Sequence, residues 1–440
     1  MPVTNDQVLN ALRGVKDPDL GRDIVALDFV KEVKICDGLV GVTIELTTPA
    51  CPVKEQLKGE AETLIKALPG VTGVDVKMTA QTVGRARPAE DQLKGVKNIV
   101  AVGSGKGGVG KSTATVNLAL ALSRLGAKVG ILDADIYGPS VPGMLGITDR
   151  PFADEQGRAI PPENFGIKAM SVGMLVGEDA PTIWRGPIAT RILQNFFGAV
   201  NWGELDYLLI DMPPGTGDVH LTITQSVPLN GAVIVTTPQE VAIRIAKKGL
   251  KMFRQVNVPI LGVIENMTGP VFGFGGGKKC AEDMGTPFLG TIPLDPQMTE
   301  GGEKGVPLVQ LYPDSPGAQA YMAIAKALAA QLSITNINER TITDRPKEVH
   351  LHDQTPPKIV WDDGSVMAFD HFTLRMNCKC AACCNEMTGE KMLKEADVPK
   401  DIKVVEARPV GRYGLNLIFS DGHGSGIYDF KLMRSLGKRI

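Results

Sequence analysis

Ten consecutive residues, Ser104-Gly105-Lys106-Gly107-Gly108-Val109-Gly110-Lys111-Ser112-Thr113, set glycine, lysine and hydroxyl side chains at the spacing of a phosphate-binding loop. The glycines of G-x-x-x-x-G-K-[ST] let backbone N–H groups converge on phosphate oxygens, and a following helix adds its positive end. On this reading Gly105 to Thr113 cradle ATP, Lys111 reaches the β- and γ-phosphates, and the Ser112 hydroxyl ligates Mg²⁺. Lys106 adds a second charge inside the loop, where phosphate binding itself needs none. Two acidic clusters supply the remaining chemistry. Asp211 is the acid that holds the metal, Asp135 orients or activates the attacking water, and Asp133 serves the Mg²⁺ hydration shell. Pro213-Pro214-Gly215-Thr216-Gly217-Asp218 forms a loop able to sense the γ-phosphate.

These groups act together only if strands deliver them to one edge. Asn98 to Gly103, Lys128 to Leu132 and Tyr207 to Ile210 are apolar runs suited to a sheet buried on both faces, and the chain from Ser112 onward reads as a helix. Carboxylates that follow such strands lie beside the phosphate loop of a doubly wound sheet. The fold class is therefore α/β. A central, doubly wound, mostly parallel P-loop NTPase domain over residues 97–335 is flanked by two smaller domains, which agrees with a length of 440 residues. The first, over 1–84, is α+β in the order α-β-β-α-β. Asn5 or Asp6 caps its first helix, Phe29 to Ile35 and Leu39 to Leu46 pair as strands, Pro52 to Leu68 is an amphipathic helix, and Val71 to Met78 is the last strand. A polar, proline-containing linker over 85–96 follows. A helix from Ser315 to Leu332 and a second linker over 336–347 lead to a small β-rich domain of metal-binding type over 348–440.

Seven cysteines, an odd number, argue for a reducing compartment rather than a disulfide framework. Four fall within Cys378-Lys379-Cys380-Ala381-Ala382-Cys383-Cys384, where C-x-C-x-x-C is ligand spacing for Zn²⁺ or an iron–sulfur cluster. His423, in the glycine-rich turn Asp421-Gly422-His423-Gly424, is the candidate fourth ligand. Cys51 stands at a strand-to-helix turn, where a helix N-terminus lowers a thiol pKa. It is either a transient cluster ligand or a structural cysteine. Cys280 reads as a buried apolar side chain on a helix, and His220 as a surface helix residue just beyond the γ-phosphate loop.

With Lys106 in its loop the sequence resembles the deviant Walker A ATPases, whose extra lysine reaches across a dimer interface to the partner's nucleotide. That resemblance implies a homodimer with ATP at the interface. Asp133 to Ser140, Trp184-Arg185-Gly186-Pro187, Asp211 to Gly217, Thr237-Pro238-Gln239-Glu240, Ile264-Glu265-Asn266-Met267 and Ile292-Pro293-Leu294-Asp295-Pro296 narrow it further. Together they resemble the Mrp/ApbC iron–sulfur cluster carriers, over Lys97 to about Leu332. The resemblance implies slow ATP hydrolysis coupled to cluster transfer, with apo-proteins and assembly factors as partners, and places Asn266 on the adenine edge. Taken alone, Asn266 is equally a turn residue after a strand. One departure matters: the family's C-x-x-C pair after Asn-Met is missing, because Asn266 to Phe272 runs straight into Gly273-Phe274-Gly275-Gly276-Gly277. Any cluster must be held elsewhere.

Both flanks carry resemblances of their own. Asp17-Pro18-Asp19 and Thr47-Thr48-Pro49-Ala50-Cys51-Pro52 are similar to the small domain of SufT-type assembly factors. Trp361-Asp362-Asp363-Gly364-Ser365, the cysteine run, the Gly-His pair and Ile427-Tyr428-Asp429-Phe430 resemble the N-terminal domain of γ-butyrobetaine hydroxylase, which holds a structural zinc. Carriers joined to that domain include a chloroplast scaffold of four-iron clusters. The resemblance thus implies Zn²⁺ on Cys378, Cys380, Cys383 and His423, or a four-iron cluster through the same thiolates or with Cys384 as a spare ligand.

A net charge of −2, with no basic stripe interleaved with aromatics, speaks against nucleic acid. No apolar run is long enough for a bilayer, so the expected protein is soluble and cytoplasmic, or stromal if a plastid leader has been trimmed. The competing reading is a positioning or partitioning ATPase, which shares Lys106, Lys111 and the aspartates and whose end domains dock partners without carrying a cluster.

Overall fold

The computed structural model describes residues 3–440 except 37, 83–92, 94, 137, 176–195, 216–217, 341–345, 353–354, 362, 381, 385–389 and 411–413. Trp184 to Pro187, Thr216 and Gly217 therefore lie outside the described residues, as does most of the expected 85–96 linker.

The first helix, α1 (Asn5–Leu12), is capped by Thr4 rather than by Asn5 or Asp6. The Thr4 hydroxyl accepts from the Gln7 N–H while the Gln7 side chain accepts from the Thr4 N–H, a reciprocal pair that satisfies two orphan donors. Strands β1 (Val30–Cys36) and β2 (Leu39–Leu46) are antiparallel, and β3 (Gly73–Ala80) lies parallel to β2 after the crossover helix α2 (Lys54–Lys66). Alternate residues of β2, Val40, Val42, Ile44 and Leu46, are buried and pack with Val8 and Leu12 of α1 and Leu57, Ala61 and Ile65 of α2.

The central domain continues through β4 (Val96–Ser104), α3 (Lys111–Arg124), β5 (Val129–Asp133), β6 (Glu163–Asn164), β7 (Ile167–Ser171) and β8 (Leu205–Asp211). Next come α4 (Asp218–Ser226), β9 (Gly231–Thr236), α5 (Glu240–Gln255), β10 (Ile260–Thr268), α6 (Gly276–Asp283), β11 (Phe288–Pro293) and α7 (Pro316–Arg340). The eight strands stand in the order β6-β7-β5-β8-β4-β9-β10-β11 and are parallel except for β6. Every residue of β5, β8 and β9 is buried, as a sheet covered on both faces requires. The register sets Asp211 beside Asp133 on one side and Val102 on the other, so both acids reach the carboxyl edge where the phosphate loop begins.

Helix α7 runs past Leu332 to Arg340, and a strand starts at Pro346, so the expected 336–347 linker is helix at one end and strand at the other. Asn336, the first residue of that expected linker, is buried instead. It donates to the Asn98 side chain at 2.8 Å and accepts from Asn230 at 3.2 Å, tying the helix to the starts of β4 and β9.

The turn after β2 docks on this domain. Ala50 joins the central core, the Thr48 and Tyr207 hydroxyls lie 2.7 Å apart, and Thr47 donates to Ser333 at 3.2 Å. Tyr207 precedes Asp211 on β8 by four residues, about 13 Å of extended strand. The first domain thus rests toward the amino end of the sheet, away from the phosphate loop.

The second unit, residues 337–440 with 224–228, contains a four-stranded antiparallel sheet and a three-stranded one. A short helix, α8 (His371–Met376), is capped by Asp370, whose carboxylate accepts from the Thr373 N–H. Trp361, Phe369, Leu374, Phe419, Tyr428 and Met433 form its core, together with Cys378 and Cys383. No helix among the described residues is long and apolar enough to cross a membrane.

Candidate functional site

Two constellations carry chemistry, one in each unit. In the first, β4 ends at Ser104, the loop turns over its glycines, and α3 begins right after Gly110, whose φ of +78° is left-handed. A side chain at Gly110 would also strike the Asn266 amide, and one at Gly105 would strike the backbone of α5 at Ile245. The loop is therefore wedged between β10 and α5. Lys111 is buried and its Nζ lies 2.5 Å from Asp211 Oδ2. Ser112 donates to the same oxygen at 2.7 Å, and Thr115, one turn further along α3, donates to Asp211 Oδ1 at 2.7 Å. Asp211 itself is fully buried.

Asp133 accepts three backbone N–H groups, from Asp135 at 3.1 Å, Ser140 at 2.9 Å and Val141 at 3.0 Å. Those bonds favour its charged form, yet burial first and the neighbouring Asp211 charge second outweigh them and push its carboxyl up to about 7. Asp135 is half-buried and accepts from the Gly138 N–H at 3.3 Å. Lys106 is exposed, its carbonyl held by the Ser104 hydroxyl at 3.1 Å. Asn266 donates to the Val109 carbonyl at 2.9 Å, while its buried Oδ1 has no partner among the described residues. That leaves one acceptor beside the loop, which suits an amino group such as that of adenine.

Near this site the roles of two residues, Thr115 and Glu265, escape a reading of the sequence, and a third residue, His220, sits otherwise than expected. Thr115 carries a signal that could have found it, a hydroxyl four residues after Lys111 and so on the same face of α3. Glu265 is buried at the end of β10 and accepts from the Gly275 and Gly277 N–H groups, so the glycine run after Asn266 wraps a carboxylate. His220 is buried rather than on the surface. Burial and the Lys111 charge push its pKa down to about 4, and its Nε2 has no partner among the described residues.

Cys51 departs from expectation. Helix α2 begins only at Lys54, and burial, reinforced by Asp17 and Asp19, outweighs the backbone N–H of Val53 and pushes the thiol up to about 11. Cys280 is buried on α6, as read from the sequence.

In the second unit Cys378, Cys380, Cys383 and His423 bring their donor atoms within 4.8 Å of one another. His423 Nε2 lies 3.2, 3.6 and 3.8 Å from the three Sγ atoms in that order. A tetrahedral zinc with ordinary Zn–S and Zn–N bonds needs S···N edges of about 3.6 Å, so the donor set fits one such ion. Burial pushes the Cys378 thiol well up; at Cys380 hydrogen bonds from Cys378 and Cys383 outweigh burial and hold the thiol down. Cys384 takes no part, its Sγ donating to the Cys378 carbonyl at 3.4 Å. Gly426 is required at its position, since a side chain there would meet Cys378 Sγ.

Comparison with known proteins gives the chain its relatives. Residues 95–329 match the family model described as NUBPL iron-transfer P-loop NTPase, residues 5–76 that of an iron–sulfur cluster assembly protein, and residues 350–434 that of the γ-butyrobetaine hydroxylase-like N-terminal domain. An iron–sulfur cluster carrier protein from Synechocystis sp. is 48% identical over 348 residues, 76% of this chain and 99% of that protein. The chloroplastic Fe-S cluster assembly factor HCF101 of Oryza sativa is 38% identical over 429 residues, 94% of this chain and 80% of that protein. Among solved structures, an ADP-bound nucleotide-binding protein from Archaeoglobus fulgidus is 37% identical, with a TM-score of 0.45, over 52% of this chain and 95% of that one. The chain belongs to the NUBPL-type iron-transfer P-loop NTPases, the family of the iron–sulfur cluster carriers.

Proposed function

We propose that this protein is a homodimeric, ATP-hydrolysing carrier or scaffold that assembles iron–sulfur clusters or delivers them to apo-proteins, with slow turnover coupled to transfer. The observation that carries the reading is the convergence of Lys111, Ser112, Thr115 and Asp211 behind a glycine loop. ATP phosphates would take over Lys111 from Asp211. Ser112 Oγ and Asp211 Oδ2, hard oxygen donors 2.7 Å apart, suit Mg²⁺. Bound there, Mg²⁺ would neutralise charge developing on the β- and γ-phosphates. Asp133 and Asp135 would order its waters and the attacking one, Lys106 would reach the partner's nucleotide, and the Asn266 Oδ1 would accept from adenine. Because Pro213 and Pro214 follow Asp211 after only Met212, exchanging its partners would move the γ-phosphate loop and α4 between two states, which gates cargo.

The cargo is a cluster of four-iron type. The donor spacing at Cys378, Cys380, Cys383 and His423 supports a single Zn²⁺ there, which would tie that domain together and leave Cys51 as the candidate transient ligand. The names of the relatives, bacterial carriers and a chloroplastic factor, support a cytoplasmic or stromal place of work.

Anaerobic reconstitution with iron and sulfide, followed by transfer to an apo-ferredoxin, tests the proposal. Stoichiometric iron and sulfide and transfer that depends on ATP and is lost in Lys111→Ala would support it. One zinc per chain with no cluster would sink the carrier reading, and ATP-stimulated pelleting with liposomes or DNA would replace it by the positioning ATPase.

A further inference from the structure

Arg375 on α8 is a buried cation, its side chain 8% exposed, in a small domain where burying a charge is costly unless it is paired. Its guanidinium makes two directed bonds. Nη1 donates to Cys383 Sγ at 3.3 Å, and Nε donates to Asp421 Oδ2 at 2.8 Å. Asp421 in turn accepts from the His423 N–H at 2.9 Å, fixing the turn that presents the imidazole. The Phe419 ring lies under the guanidinium, with its centroid 5.8 Å from Cζ. One planar fork thus touches a sulfur donor and, through one carboxylate, the histidine donor.

Charge explains the arrangement. Three thiolates, a neutral imidazole and a dication sum to −1, and Arg375 is the cation in hydrogen-bond contact with that excess. Asp421 lies nearer solvent, its side chain 17% exposed, and orients the guanidinium. Lysine could not do this, because an ammonium has no fixed fork with which to bond both partners in plane.

We propose that Arg375 is the positioning residue of the Cys₃His centre: through Cys383 and Asp421 it sets how tightly a single dication is held and how strongly Cys383 donates. This rests on the reading of that centre as a one-ion site. A hydrogen bond to a thiolate lowers the energy of its lone pairs, so it raises the energy of sulfur-to-metal charge transfer. Removing it reverses the shift.

The test uses the full chain loaded with Co²⁺ as a spectroscopic probe and Zn²⁺ for affinity by chelator competition, in wild type, Arg375→Met, Arg375→Lys and Asp421→Asn. Arg375→Met is expected to move the sulfur-to-cobalt band to lower energy and to weaken Zn²⁺ binding about 10–100-fold. Arg375→Lys and Asp421→Asn should fall between it and wild type on both readouts. A residue that merely supports the fold would weaken binding without moving the band. If Arg375→Met does not fold, the two milder variants decide. Wild-type band position and affinity in both would overturn the assignment. Failure of the wild type itself to bind Co²⁺ with a tetrahedral spectrum would overturn the one-ion reading, and this inference with it.

Discussion

The phosphate-loop site and the cysteine centre distribute charge in opposite ways. At the loop, protein groups neutralise one another: Lys111 lies against Asp211, which also holds Ser112 and Thr115, and the adjacent Asp133 is pushed toward its neutral form. At the centre, three thiols and an imidazole point at one another, and the one cation in contact among the described residues is Arg375. The first arrangement lets a ligand come and go, because each group has a protein partner to exchange for it. The second has, among the described residues, one charged partner for its donors, Arg375 on Cys383, which suits it to a single ion held in place.

The comparison breaks first, and most strongly, at the cysteines. Cys378→Ser should leave residues 348–440 unfolded, because a structural zinc contributes about 10–16 kcal/mol. Limited proteolysis should remove that segment while the ATPase stays protected, and a resistant segment would show the donors to be dispensable. Next comes Lys111→Ala, expected to drop ATP turnover to background. It should also destabilise the domain by about 3–5 kcal/mol, since Asp211 would be left buried without its counter-charge. Loss of turnover with an unchanged melting temperature would show that the Lys111–Asp211 pair is not what holds this edge.

A third effect depends on pH and sharpens the picture of self-neutralisation. His220 has a folded pKa of about 4, below its ordinary value, so the unfolded chain binds more protons between about 4 and 6.5. Its contribution is present above 6.5 and is lost as pH falls. Asp133, raised to about 7, works the other way: its contribution is present at low pH and is lost as pH rises from about 4 to 7. In Mg²⁺-free, nucleotide-free buffer the two should offset in the wild type. Asp133→Asn should unmask acid destabilisation with a slope approaching about 1.4 kcal/mol per pH unit, and His220→Gln a slope of the opposite sign. Parallel pH–stability curves in all three proteins would refute this pairing. The smallest change in stability belongs to Lys106→Ala, within about 0.5 kcal/mol because the side chain is exposed. It should nonetheless abolish ATP-dependent dimerisation by light scattering, and a dimeric variant would remove its cross-interface role.

Much of the fold was legible because it rests on local signals. Apolar runs announced the buried strands, the order α-β-β-α-β was readable in the first domain, and C-x-C-x-x-C with a later Gly-His pair named the donors that the structure brings together. What escaped was set by packing between distant segments. Thr4 took the cap, Asn336 continued a helix by binding Asn98 and Asn230, and the docking of Thr48 and Ala50 helped bury the turn that carries Cys51.

By itself, the sequence determined the nucleotide loop, the family and which three cysteines and histidine would cluster, because each depends on residue types a few positions apart or on one short turn. Tertiary structure alone decided how the charges are shared. Asp211 meets Lys111 and Asp133 only because the register of β4, β5 and β8 sets them side by side, and Arg375 meets Cys383 and Asp421 only because α8 packs against the turn after Phe419. Such partners lie many residues apart in the chain, and which of them end up close enough to share a proton or neutralise a charge is settled when the core closes around them.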